Sequence, residues 1–237
     1  MSFKSKIDFC GLANGTTILL KSHAEGRANT IVTCENDEGD TVDVTKVGQV
    51  MDPSNDYALK GDLTNFEIVL GKVNTVNLGT TQAPDNHYFA LKEVSIGTSN
   101  SGEVSISAQA EEVASADEDR TYTITIASLK CRNKAQVLNS LFSLSGTNVH
   151  LQSANYTFSV NINHTTVDGE RVTFDVYGGS IVAAVEAKQA GTVPPTITPG
   201  SDGVTVVTND PDESRPDSDY ATVSAEITKY LTADPET

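Results

Sequence analysis

Carboxylates are the groups in this 237-residue chain most able to do chemistry, and they are clustered. Residues 35–43 hold Glu35, Asp37, Glu38, Asp40 and Asp43, and residues 111–119 hold Glu111, Glu112, Asp117, Glu118 and Asp119. Residues 209–219 hold Asp210, Asp212, Glu213, Asp217 and Asp219 against Arg215. The three stretches carry five, five and a net four negative charges, which is fourteen of the net -16. All three are rich in Asp, Gly, Asn, Ser or Pro, a composition that predicts loops. Runs of like charge repel one another and usually face water, so solvated loops are the first reading. A second is that the loops converge on one surface, such as a channel lining or an interaction rim. A third is a calcium site, since Asp37-Glu38-Gly39-Asp40 and Asp210-Pro211-Asp212-Glu213-Ser214 alternate oxygen ligands. Its candidate ligands are Asp37, Asp40, Asp210 and Asp212, although neither stretch completes a twelve-residue EF-hand loop with its terminal Glu.

Other reactive types are sparse. Cys10, Cys34 and Cys131 have no CxxC spacing, and their odd number implies no disulfide framework or zinc site. Cys34 and Cys131 stand at strand ends and read as small core hydrophobes. His23, His87, His150 and His164 form no HExxH or HxH pair, and His87 and His164, beside turn residues, read as surface. No GxSxG elbow, GxxxxGK[ST] loop or GxGxxG turn is present, so Gly178-Gly179 is not a phosphate cradle. With no Trp there is little to build a sugar-stacking platform. The expectation is a non-enzymatic protein with no cofactor. The triplets Asn14-Gly15-Thr16, Asn155-Tyr156-Thr157 and Asn163-His164-Thr165 are what chance gives in an Asn- and Thr-rich chain.

The elements that must carry these groups are strands. Glu103–Ala110, Tyr122–Ile126, Tyr156–Ile162 and Val172–Val176 each alternate apolar and polar residues, which puts one face on a core. Thr16–Leu20, Thr30–Cys34, Thr41–Val47, Phe66–Leu70, Tyr88–Ile96, Ser180–Ala187, Val204–Thr208 and Ala221–Ile227 are further candidates. Asn14-Gly15, Glu38-Gly39, Asn100-Ser101-Gly102, Asp168-Gly169 and Asp202-Gly203 punctuate them. About a dozen strands so spaced predict a mainly β fold, an antiparallel sandwich or barrel. One segment departs from period two. Val137, Leu138, Leu141 and Phe142 fall at helical spacing after the potential N-cap Asn133, which predicts one short helix over 133–142. Its apolar stripe would plug an open end of the sheets.

The organisation divides into an N-terminal β region (1–82), a core β block with the helix (83–190), a Pro/Thr linker (191–200) and a C-terminal arm or add-on strands (201–237). The last piece is too small to fold alone and is expected on the main body or on a neighbour. No apolar run reaches the roughly 18 residues of a membrane span. No apolar stretch follows the first lysines, so no signal peptide is expected. An acidic chain is a poor wrapper of nucleic acid, so no sequence-specific nucleic-acid binding is expected, and no membrane partner either.

In element order, 83–190 resembles the tail-tube proteins of tailed bacteriophages and their relatives in contractile injection systems. The order runs through strands Tyr88–Ile96 and Glu103–Ala110, the loop 111–120, strand Thr121–Leu129, the helix, and long strands 149–163 and 170–187. The resemblance covers under half of the chain and rests on no residue motif. It implies a virion structural protein, made in a host cytoplasm, that self-assembles as stacked hexameric rings and contacts other virion proteins. Residues 1–82 and 191–237 would then be an added domain or extended arms. Acidic loops suit a DNA conduit, because a polyanion slides past them without binding. A capsid-decorating, head-stabilising protein and an adhesin-like β-sandwich binding module are the alternatives.

Overall fold

The computed structural model describes residues 17–35, 41–77, 83, 85–117, 120–167, 170–200, 205–207, 212–214 and 220–234, with only the backbone described for 26–35, 41–50, 166, 170, 205–207 and 212–214. The described strands, in chain order, are β1 (Ile18–Glu35), β2 (Thr41–Leu59), β3 (Leu63–Leu70), β4 (Val73–Asn77), β5 (Asn86–Ser99), β6 (Ser105–Val113) and β7 (Tyr122–Leu129). They continue as β8 (Phe142–Ser145), β9 (Val149–Val167), β10 (Glu170–Ala190), β11 (Thr196–Pro199), β12 (Thr205–Val207), β13 (Asp212–Ser214) and β14 (Tyr220–Tyr230). Every pairing is antiparallel.

A ten-stranded sheet runs β1-β2-β6-β5-β9-β10-β14-β12, with β13 also on β14 and β4 also on β5. It draws strands from 1–82, 83–190 and 201–237 alike. Two small sheets, β3-β7 and β8-β11, share its core. The alternation of the sequence explains this burial. Tyr57, Ile106, Ile96, Tyr156, Ala183 and Ile227 lie on one cross-strand row and are all buried. They meet Ile68, Leu70, Ile124, Ile126 and Leu129 of β3 and β7 in one cluster. Each such side chain contributes about 1.5–3 kcal/mol on leaving water.

Residues 133–142 are not helical, and no helix occurs among the described residues. Of the apolar stripe, Leu138 and Leu141 are buried on irregular backbone and Phe142 at the start of β8, while Val137 is exposed. Side chains from neighbouring strands and loops hold the amides of this stretch, including that of Leu138, which a helix would pair with the carbonyl four residues back. Asn100 Oδ1 accepts from Ala135 N–H at 3.0 Å, Thr98 Oγ1 from Gln136 N–H at 3.1 Å, and the Tyr156 hydroxyl from Leu138 N–H at 3.1 Å. Tyr156 donates in turn to the Gln136 carbonyl at 2.6 Å. Asn139 and Ser140 then both adopt φ of 50°, a left-handed pair that no right-handed helix tolerates. Helix spacing was therefore a guide to burial at Leu138, Leu141 and Phe142 and a poor one to backbone.

The stretch 191–200 is docked rather than free. Pro194 and Pro195 are buried, and β11 pairs with β8. β14 runs along β10 from Ala190–Tyr220 to Ser180–Tyr230. Beyond it, Leu231 N–H donates to the Gly179 carbonyl and Asp234 N–H to that of Thr121, both at 2.8 Å. Thr121 and Thr123 hydroxyls both donate to Asp234 Oδ2, at 3.0 and 2.8 Å.

Candidate functional site

Two hairpins outrun the sheet that holds them. β1 and β2 pair from Ile18–Leu59 to Glu35–Thr41, yet β2 pairs with β6 only over Ser54–Ala58. β9 and β10 pair out to Val167–Glu170, yet β9 pairs with β5 only over Ser153–Ser159. In both cases the unpaired part lies beyond the same end of the sheet, where β5 begins and β6 finishes. The sheet thus forks there into two two-stranded ribbons.

Local sequence causes each divergence. On the β2 side, Pro53 stands one residue past the last β2–β6 pair, Ser54–Gln109. Proline has no N–H, so it cannot continue a ladder. Residues 51 and 53 address the same side of the strand. Two residues on, Met51 N–H finds a side chain instead, the Glu112 carboxylate, at 2.9 Å. On the β9 side, β4 pairs with β5 from Val73–Ala90 to Asn77–Asn86 and takes the edge that β9 would otherwise continue along. A bulge between Leu91 and Glu93 of β5 marks the changeover.

Charged side chains gather at this fork. Glu111 Oε1 is 2.7 Å from His164 Nε2 and its Oε2 is 2.6 Å from Lys92 Nζ. Glu112 Oε1 is 2.6 Å from His87 Nδ1, whose Nε2 is 3.4 Å from Asp85 Oδ2. Arg171 of β10 donates to the Glu112 carbonyl. A carboxylate only accepts, so His164 carries its proton on Nε2 and His87 on Nδ1. Asp52 Oδ1 and His164 Nδ1 are buried with no hydrogen-bond partner among the described residues.

The titration of these groups follows from their surroundings. Burial pushes the Glu111 carboxyl up, but hydrogen bonds from His164 and Lys92, with their charges, outweigh it and bring it down to about 2. Burial likewise opposes a charge on His87, but hydrogen bonds to Glu112 and Asp85 and their negative charges prevail, and its pKa is raised. Asp52 is pushed up by burial and by the Glu111 charge, against the pull of Lys92 and Arg171. Each of the four oxygens of Glu111 and Glu112 is already engaged within the fold, so the pair acts mechanically: it ties β2, β9 and β10 to β5 and β6.

These positions differ from the sequence expectation in two ways. Glu111 and Glu112 belong to β6 rather than to an acidic loop, and their side chains are only 14 and 16% exposed. His87 and His164 are not surface groups but half-buried partners of those glutamates, because cross-strand register brings together residues far apart in sequence. The only sequence sign of this was a pair of adjacent glutamates closing a strict alternation. Asp117 is exposed, while Glu118 and Asp119 lie outside the described residues. Of the calcium candidates, Asp37, Asp40 and Asp210 lie outside the described residues, and Asp212 begins β13 opposite Ser224. No group of three His, Cys, Asp or Glu able to hold a metal ion occurs among the described residues. Among the described residues, the register puts Glu35, Asp43, Glu111 and Glu112 at the fork end and β13 toward the opposite end, so these parts of the three acidic stretches do not share one end of the sheet. Cys131 packs against the core and its Sγ donates to the Leu59 carbonyl at 2.9 Å.

The face of the sheet opposite the core carries small polar groups. Asp56, Ser107, Ser95 and Thr157 form one cross-strand row, which Ser22 joins by donating to Asp56 Oδ2 at 2.5 Å. They line a groove of about 580 Å³. The second ribbon and its root expose apolar groups: Val167, Val172 and Tyr177 are 55, 51 and 44% exposed. No protein-family model matches this chain, and no curated protein matches it in sequence.

Proposed function

We propose that this chain is a non-enzymatic structural subunit of a tailed-phage virion, self-assembling as a tail-tube-type ring. The fold is read as a sandwich of one large curled sheet on two small ones. The observation that carries the proposal is the fork: two long ribbons leave one end of a sheet whose own edges, β1 and β12–β13, carry no further strand among the described residues. An open edge presents unpaired N–H and C=O groups that a neighbour's strand satisfies. Two different edges at opposite sides of one sheet suit a head-to-tail contact, which closes into a ring when its rotation allows. Ribbons leaving one end would reach the next ring, and Val167, Val172 and Tyr177 would supply apolar contact there. The net charge of -16 keeps such a ring from binding a polyanion.

Negative-stain microscopy of the purified full-length protein tests this. Rings or tubes roughly 10 nm wide, the scale of six such domains in a circle, are expected. A strict monomer at high concentration refutes the tube reading. Trimers that bind only to preformed capsids would replace it with capsid decoration.

A further inference from the structure

The fork is held differently from the rest of the sheet. Up to Ser54–Gln109 and Ser159–Glu93, backbone ladders tie β2 to β6 and β9 to β5. Past those pairs, three polar links between the ribbons and the sheet run through charged side chains. Glu112 takes the Met51 amide of β2, Glu111 takes His164 of β9, and Arg171 of β10 takes the Glu112 carbonyl. Five strands meet in one knot of alternating charge. The groups facing one another are Asp52 on β2, Asp85 just before β5, His87 and Lys92 on β5, Glu111 and Glu112 on β6, His164 on β9 and Arg171 on β10.

His87 is the histidine of the knot held between two carboxylates, and its charge sets the balance around Glu112. Its ring lies between two carboxylates, Glu112 on one nitrogen and Asp85 on the other, and stacks against Phe89 at 6.4 Å. Doubly protonated, it donates to both. Deprotonated, it gives up the Asp85 link and leaves Glu112 facing Glu111 and Asp52 with one cation fewer. The Glu112 oxygen that holds Met51 N–H belongs to the same carboxylate, so the root of the first ribbon feels the change directly.

We propose that this cluster is a latch that clamps the roots of both ribbons to β5 and β6 while His87 is charged and lets them splay when it loses its second proton. The mechanism is local, since it changes the strength of side-chain links and leaves the core rows of Ile96 and Ile106 alone. It makes the spread of the ribbons a pH-dependent property of the single chain, whatever those ribbons later touch.

Hydrogen exchange of the full-length protein, corrected for intrinsic rates, tests it at pH 5.5 and 8.5. The wild type is expected to lose at least tenfold protection at the Met51 amide and in 160–165 on going to pH 8.5, with no change at Ile96 and Ile106. His87→Gln is expected to show the same protection at both values, and Glu112→Gln low protection at both. Equal corrected protection at both pH values in the wild type overturns the proposal. So does a loss that spreads evenly through the core amides, which would mark a merely structural cluster. If Glu112→Gln loses its core protection as well, the wild-type and His87→Gln comparison decides alone.

Discussion

Replacing Glu111 by Gln keeps the side chain's shape and removes its charge. In the folded chain the carboxyl ionises at about 2 rather than at its ordinary 4.5, because His164 and Lys92 hold it charged despite its burial. At about 1.4 kcal/mol for each tenfold change in proton affinity, that preference corresponds to about 3 kcal/mol of stability. The sign follows from the direction. A depressed folded pKa contributes fully above about 4.5 and loses its contribution as pH falls toward about 2. The side chain is 14% exposed, so little of this is lost to solvent screening. Urea unfolding of wild type and Glu111→Gln at pH 7, 5, 4 and 3 reads it out, because the difference between them cancels the other carboxylates. A gap of about 3 kcal/mol is expected at pH 7, narrowing steadily below pH 4.5. A gap that is absent at neutrality, or that stays constant down to pH 3, refutes the account of how the fork is held.

Three further perturbations probe the scaffold. Tyr156→Phe strands the buried Leu138 amide and Gln136 carbonyl, costing about 1–3 kcal/mol, and amides 135–138 should exchange faster than the rest of the core; unchanged exchange there would disprove the pinning of that loop. A Cβ added at Gly179 overlaps the buried Tyr122 ring, so Gly179→Ala should lower the urea midpoint by the equivalent of about 1–3 kcal/mol. An unmoved midpoint would mean that the ring shifts without cost. Asp234→Ala releases the hydroxyls of Thr121 and Thr123, and a loss of about 1–2 kcal/mol, with faster exchange of amides 231–234, is expected. Stability equal to wild type would show the tail to be unpinned.

Period two was enough to find most strands and to say which side of each is buried. Tyr156, Phe158 and Val160 face the core as their alternation requires, and so do Ile124 and Ile126. Strand length was harder to read. β1 runs unbroken through Glu25-Gly26-Arg27, and β2 through Asp52-Pro53-Ser54-Asn55, stretches that look like turns in isolation. A partner strand on one side is enough to keep them extended, and the pattern of a single strand cannot report that partner. The 133–142 stretch departs from helix for a related reason: the amides of Ala135, Gln136 and Leu138 are held by Asn100, Thr98 and Tyr156, all distant in sequence. The fork cluster was hidden entirely, since it depends on register between β2, β5, β6 and β9. His164 meets Glu111 across 53 positions and Met51 meets Glu112 across 61.

The central claim is self-assembly of this chain. Sedimentation velocity across a wide concentration series tests it most directly. The account predicts a discrete species whose mass is an integer multiple of the chain's own, growing into longer stacks as concentration rises. A single monomeric boundary at every concentration would contradict it.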